Sequence, residues 1–285
     1  MLNTLHPLRF FATYTVLKRE GERSLNTLYE KTGFDPWFLS QLLDQIKLED
    51  TIAAEDLSPK LLLEAKRGGM SDKRIAQLKR VSPADIEKER IDNGIEACFH
   101  FVDTCAGEFT ADTPYFYSTY GEINEGKPPE GDAVIILASG PNRIGQGLEF
   151  DTCCTLASLS YRKQGTETII INSNPETVST DFNISDRLYI EPLTVEHVSE
   201  IMRKEQVKKV IVQLGGQTPL NMAEELEKRG AQVVGTKVKS IFDAEDRGLF
   251  ADLLRKLDLK QPVNRMAATS AEIQKFAKEV GYPVL

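Results

Sequence analysis

The chain has 285 residues, 41% apolar and 27% charged, and a net charge of −8 with no basic surplus on either side of residue 130, which excludes a phosphate-backbone binder. No run reaches the ~20 apolar residues of a membrane span, and the start, with Arg9 inside its only apolar stretch, does not read as a signal peptide. Four cysteines without CxxC spacing (Cys98, Cys105, Cys153, Cys154) and three scattered histidines argue against a disulfide scaffold, a zinc ribbon or a His-built metal site, so a reducing, cytoplasmic location is expected.

Residues 1–95 read as a string of short helices. Ser24, Asp35-Pro36, Ser58-Pro59, Ser71 and Ser82-Pro83 each place a side-chain acceptor where a helix start has unpaired N–H groups. In three of these cases proline follows at the first helical position, where its missing N–H costs nothing. Between the caps apolar residues fall at helical spacing, as in Phe38, Leu39, Leu42, Leu43 and Ile46, and Gly33, Gly68-Gly69 and Gly94 stand where helices would end. Such an assembly needs no chemistry and suits packing or oligomerisation. Residues 96–131 cluster aromatics without a clear period and then turn polar, which predicts a loop-rich connector ending in a linker near Glu125–Gly131.

From Asp132 the pattern alternates strand and helix. Strands are predicted at AVIILA (133–138), ETIIIN (167–172), KVIVQL (209–214) and QVVGT (232–236), with helices near 148–163, 194–204, 218–229 and 246–257. Short continuous apolar runs joined by helices make βαβ units, hence a parallel, doubly wound sheet. A further piece starts near Ala244, with a helix, a possible strand at NRMAAT and a helix at Ala271–Val280. The closing GYPVL looks like a strand just beginning, an expectation of truncation.

The chemistry-bearing segment is ASGPNRIGQGLEFD (138–151), a strand running through a glycine-rich turn into a helix. It fits neither GxGxxG nor a Walker loop, because Gln146 stands where a lysine is needed and the next strand ends Asn172-Ser173-Asn174 without a ribose carboxylate. That argues against a dinucleotide-dependent oxidoreductase. The polar loop NSNPETVSTDF and the turn GGQTPL fall at the same carboxyl edge, so Arg143, Glu149, Glu176 and Gln217 are candidates to line one crevice. For Glu149 and Glu176 a helix-start charge and a solvated loop acid are equally good readings. One of Cys153 and Cys154 is expected to be a buried small hydrophobe, and His197 a surface residue.

FDPWFLSQL, FHFVDTCAGEF, YFYSTY, ASGPNRIGQGLEFDTCC, NSNPETVSTDF, SDRLYIEPLT, VIVQLGGQTPL and DAEDR resemble, in order and spacing, the large subunit of carbamoyl phosphate synthetase. The resemblance implies an α/β fold class: a helical oligomerisation domain with its connector over 1–127, a Rossmann-like pre-ATP-grasp domain of the second half over 128–244, and the truncated start of an ATP-grasp domain over 245–285. The family makes carbamoyl phosphate from bicarbonate, glutamine-derived ammonia and two ATP. It passes carbamate through an internal tunnel and works with a small glutaminase subunit. The resemblance implies that Arg143, Gly145, Gly147, Glu149, Asn174, Glu176 and Gln217 belong to the carbamate tunnel or substrate crevice. The family's ATP, Mg²⁺ and K⁺ sites lie in its ATP-grasp portions, so no bound cofactor, metal site or catalytic residue is expected here. Self-association through the helical domain is expected, and nucleic-acid or membrane partners are not. The alternative is a free-standing, non-catalytic interaction module.

Overall fold

The computed structural model describes residues 1–110, 113–141, 146–263 and 265–284. The chain divides into two compact units, Met1–Lys127 and Pro128–Leu285.

The first unit opens with α1 (Arg9–Glu20), α2 (Leu25–Thr32), α3 (Pro36–Ala54), α4 (Pro59–Arg67), α5 (Asp72–Lys79) and α6 (Pro83–Asp92). The caps are made by the side chains that announce them. Asp35 accepts from the Trp37 N–H, Ser58 from Leu61, Ser71 from Arg74, and Ser82 from Asp85 in a reciprocal capping box. Ser24 differs. The chain enters α2 already wound by a 3₁₀ turn over Gly21–Ser24, so its hydroxyl donates back to the Gly21 carbonyl at 2.7 Å and caps nothing. Gly33 ends α2 in the left-handed region at φ +68°.

Helix α3 joins two cores. Its Leu39, Leu43 and Ile46 pack with Leu17 and Leu28, while Ile52 belongs to a second cluster with Leu61, Leu62, Ile75, Ile86 and Ile95. Phe38 is 64% exposed, off the buried stripe that its neighbour Leu39 occupies. Where α3 passes between the two cores, Glu49 takes two hydrogen bonds from the Arg74 guanidinium (2.6 and 2.7 Å) and one from the Tyr14 hydroxyl (2.6 Å), tying α1 and α5 to α3. The predicted connector holds more order than its composition suggests. Strands β1 (Cys98–Phe101) and β2 (Tyr115–Thr119) pair antiparallel, so Phe101 lies opposite Phe116 and His100 opposite Tyr117. The aromatics that lack a sequence period are cross-strand partners on this ribbon, with Phe101 and Phe116 centroids 4.3 Å apart.

The second unit contains β3 (Ala133–Leu137), α7 (Gln146–Lys163), β4 (Glu167–Asn172), β5 (Arg187–Ile190), α8 (Val195–Glu205), β6 (Lys209–Ile211), α9 (Gln217–Leu220), α10 (Ala223–Lys228), β7 (Gln232–Val233), α11 (Val238–Glu245), α12 (Arg247–Lys256) and α13 (Ser270–Val280). Strands β5-β4-β3-β6-β7 lie side by side, all parallel. All of β3 and the last five residues of β4 are buried, as continuous apolar strands in a covered parallel sheet must be. Strand order runs outward from β3 to β5, then restarts on its other side with β6, so the topological switch point falls between β3 and β6.

Three expectations are corrected. SDRLYIEPLT contains a strand, β5, that the apolar pattern does not announce: it has four residues, begins on Arg187 and follows a polar loop. The predicted helix 218–229 breaks at Asn221-Met222 into α9 and α10. Arg265–Thr269 form no strand, and neither do 281–284; Asn264 and Leu285 lie outside the described residues.

Candidate functional site

The carboxyl ends of β3, β4 and β6 bring the three glycine- and asparagine-rich turns to one edge of the sheet. Beyond β3 the ladder continues for one step, Ala138 N–H donating to the Ile171 carbonyl at 3.0 Å. The chain then leaves the sheet. Gly140 takes φ +69°, and a Cβ there would lie 2.9 Å from Leu193 Cδ1. Gly215, after β6, sits directly against the backbone of Ala138, and Gly216, at φ +79°, covers the ring of Phe150 on α7.

Two side chains hold this edge. Asp151, on the second turn of α7, has no exposed surface, and its Oδ1 accepts the Ser139 N–H at 3.1 Å. Its Oδ2 accepts from Asn172 Nδ2 at 3.3 Å. Asn172, the last residue of β4 and also fully buried, donates to Ser179 Oγ at 3.2 Å as well. Its Oδ1 accepts two backbone N–H groups, from Gly140 and Asn174, both at 3.1 Å. Four backbone or hydroxyl groups from two chain segments, the turn after β3 and the polar loop, thus converge on one carboxylate–amide pair. The polar loop is stiffened further on. Asn174 Oδ1 accepts the Glu176 N–H at 3.0 Å, and the Thr180 hydroxyl accepts from Thr177 N–H while donating to the Pro175 carbonyl.

Among the residues expected to line the crevice, Gly147 and Asn174 come together. Gly147 is buried in the first turn of α7, and a Cβ on it would stand 3.6 Å from Asn174 Nδ2, 3.5 Å from Thr177 Oγ1 and 3.7 Å from Asp151 Oδ2. Glu149 and Glu176 are exposed, the first in the opening turn of α7 where the helix dipole favours an acid, the second on the polar loop. Gln217 is exposed and turned aside: its amide donates to Asn221 (2.9 Å) and to Glu245 (3.0 Å) on α11. Arg143 and Gly145 lie outside the described residues. The sequence reading missed Asp151 and Asn172 as organising residues. Only Asn172 carries a local signal, an amide closing an apolar run, where a polar group needs a partner; Asp151, on the second turn of α7, carries none.

Of the adjacent cysteines, Cys154 is fully buried and Cys153 exposed. Burial, with the neighbouring Asp151 charge second, pushes the Cys154 thiol up to about 12. His197 is half-buried on α8, hydrogen-bonded through Nδ1 to the Thr194 hydroxyl that caps the helix. Among the described residues no group of three or more His, Cys, Asp or Glu is arranged to hold a metal ion, and no helix is long and apolar enough to cross a membrane.

A helical module followed by a parallel α/β unit with glycine-rich turns and a buried polar pair at its carboxyl edge defines a scaffold that supports many chemistries. Comparison with known sequences gives the family. Residues 1–94 match the model described as the carbamoyl-phosphate synthetase large chain, oligomerisation domain, and residues 130–243 match that of the carbamoyl phosphate synthase preATP-grasp domain. Curated relatives named carbamoyl phosphate synthase large chain include those of Haemophilus ducreyi, 51% identical over 92% of this chain and 25% of the relative, and Archaeoglobus fulgidus, 44% identical over 97% and 26%. That of Streptomyces avermitilis is 50% identical over 90% and 24%. The chain belongs to the carbamoyl phosphate synthase large-chain family, and it spans about a quarter of the length of the curated relatives it matches.

Proposed function

We propose that this chain acts as part of a carbamoyl phosphate synthase large chain, an ATP-dependent ligase. In this reading residues 1–127 supply self-association and the 128–244 region supplies one wall of the passage by which carbamate enters the second, carbamoyl-phosphate-forming half. Residues 245–285 are then the opening of that half's ATP-grasp domain. The observation that supports the reading is the close seating of Gly147 against the polar loop: a Cβ there would already touch Thr177 at 3.5 Å and Asn174 at 3.6 Å, so a large side chain has no room. Carbamate is a short-lived anion that must be shielded from bulk water and must move without being held. A glycine keeps the bore open. The exposed Glu149 and Glu176 and the buried Asp151 make the surroundings acidic, which weakens anion retention.

The chain alone makes no carbamoyl phosphate and binds no MgATP specifically, because phosphoryl transfer needs cations and metal positioned around the transferring group. Calorimetry showing saturable micromolar MgATP binding by the isolated chain would overturn that statement. In the full assembly a glutaminase subunit supplies ammonia, in the cytoplasm. The passage is tested by Gly147→Phe in a full-length large chain. The expected result is that each half-reaction persists while overall synthesis falls; loss of both half-reactions along with synthesis would refute the passage.

A further inference from the structure

Two polar side chains, Asp151 and Asn172, hold the candidate crevice together without lining its open side as charged walls. Asp151 reaches the turn after β3 through the Ser139 N–H, and Asn172 reaches that same turn through the Gly140 N–H and the polar loop through the Asn174 N–H and the Ser179 hydroxyl. The bond between them, Asn172 Nδ2 to Asp151 Oδ2, closes the connection from α7 to β4. Asp151 Oδ2 also lies 3.7 Å from the place a Cβ would take on Gly147, and Asn174, whose N–H Asn172 holds, lies 3.6 Å from it. The spacing between Gly147 and the polar loop is therefore fixed from behind by this pair.

We propose that Asp151 is a positioning residue which, with Asn172, forms a buried carboxylate–amide bracket that sets the gap between Gly147 and the polar loop. This inference rests on the passage reading above, since the gap matters to function only if something travels through it. Each atom of the bracket has one assigned role. Asp151 offers two acceptors and no donor, and Asn172 offers one acceptor and one donor group. Asp151→Asn turns an NH₂ toward either the Ser139 N–H or the Asn172 NH₂, donor against donor. Asn172→Asp sets two carboxylate oxygens facing each other across a bond now 3.3 Å long, in a site without water access. Making both changes together restores every pairing. The amide now on α7 accepts from the Ser139 N–H and donates to the carboxylate now at the end of β4. That carboxylate accepts from the Gly140 and Asn174 N–H groups, and the Ser179 hydroxyl rotates to donate to it.

The experiment places these changes in a full-length large chain with this sequence, supplied with ammonia. It measures carbamoyl phosphate formed per bicarbonate-dependent ATP hydrolysed, together with the thermal midpoint. Asp151→Asn and Asn172→Asp should each lower that ratio by about tenfold, the scale of one mispaired charged hydrogen bond. The double exchange should return it to within about threefold of the parent, as coupled neighbours do. A double exchange that recovers the midpoint and not the ratio makes the pair a fold element only, and overturns the inference. So do single variants with an unchanged ratio. If the single variants fail to fold, Ser179→Ala removes one bond from Asn172 without moving a charge and should lower the ratio about two- to threefold; an unchanged ratio there also overturns it. Gly147→Phe in the same assay separates the two readings. If it leaves the ratio unchanged, the passage falls. If it lowers the ratio while the bracket variants do not, only the role of Asp151 falls.

Discussion

Gly215→Ala tests how tightly the turn after β6 is seated on β3, the contact at the switch point of the sheet. An added Cβ would stand 2.4 Å from the Ala138 carbonyl oxygen, 2.6 Å from its carbon and 2.6 Å from the Leu137 oxygen. All three are backbone atoms of a buried strand, so no side chain can swing away. The turn must lift or β3 must shift, breaking its pairing with β6 at Ile135–Val210 and Ile136–Ile211. Overpacking in a core costs ~1–3 kcal/mol when neighbours can give way. With rigid neighbours the top of that range is the minimum, so we expect about 3 kcal/mol or more, or a midpoint lowered by ~6–12 °C. Gly33→Ala is the control: nothing lies within 4 Å of its Cβ, but its φ of +68° costs an alanine about 1 kcal/mol. Urea unfolding followed by circular dichroism gives both numbers. Gly215→Ala should lower the transition midpoint more than Gly33→Ala does. A cost below about 1 kcal/mol would refute the close approach.

Three further outcomes are expected. With iodoacetamide near pH 8, Cys153 should alkylate at least about 100-fold faster than Cys154, whose thiol is buried and pushed up to about 12; peptide mapping by mass spectrometry that shows equal rates would contradict the burial. The Arg74 hydrogen bonds hold the Glu49 carboxyl below the ordinary glutamate value, so their stabilisation is complete above that value and is lost as pH falls through the lowered one. Glu49→Gln should accordingly cost roughly 1 kcal/mol at pH 7, discounted for the partly exposed Arg74, and the gap from the parent should close in acid; a gap independent of pH would show that Glu49 is not linked to folding. Asp72 accepts from Lys66 at 2.8 Å and from Arg90 at 3.2 Å, all three buried, so Asp72→Asn should destabilise the first unit by about 3–5 kcal/mol in denaturant titration, and a loss under about 1 kcal/mol would show that the two cations are hydrated there.

The elements legible in the sequence were those whose signal is local. The caps at Asp35, Ser58, Ser71 and Ser82 act within three residues of themselves, and the apolar runs of β3 and β4 are long enough to need burial on both faces. Ser24 shows the limit of such signals. The same residue type before the same kind of apolar pattern fails to cap, because the preceding turn fixes its backbone in a helical conformation. β5 and the β1–β2 ribbon were not legible because their evidence is non-local. Leu188 and Tyr189 read as strand residues only once Ile170 and Ile171 stand beside them, and Phe101 and Phe116 pair across fourteen intervening residues.

The candidate site divides in the same way. Gly147 and Asn174 were marked by the family resemblance, whereas residue type at the sheet edge pointed to Arg143, Glu149, Glu176 and Gln217. Asp151 and Asn172 carry the same letters as any solvated acid or amide, and only the fold reveals that both are buried and facing. Their placement follows from what the edge must do. Apolar side chains could fill this edge but could not serve its backbone. The turns around it have backbone N–H groups, at Ser139, Gly140 and Asn174, that leave the sheet ladder and still need acceptors. A carboxylate and an amide buried beside Gly147 satisfy those donors and fix both turns. The polar core of this edge thus follows from backbone donors that leave the ladder inside a buried site.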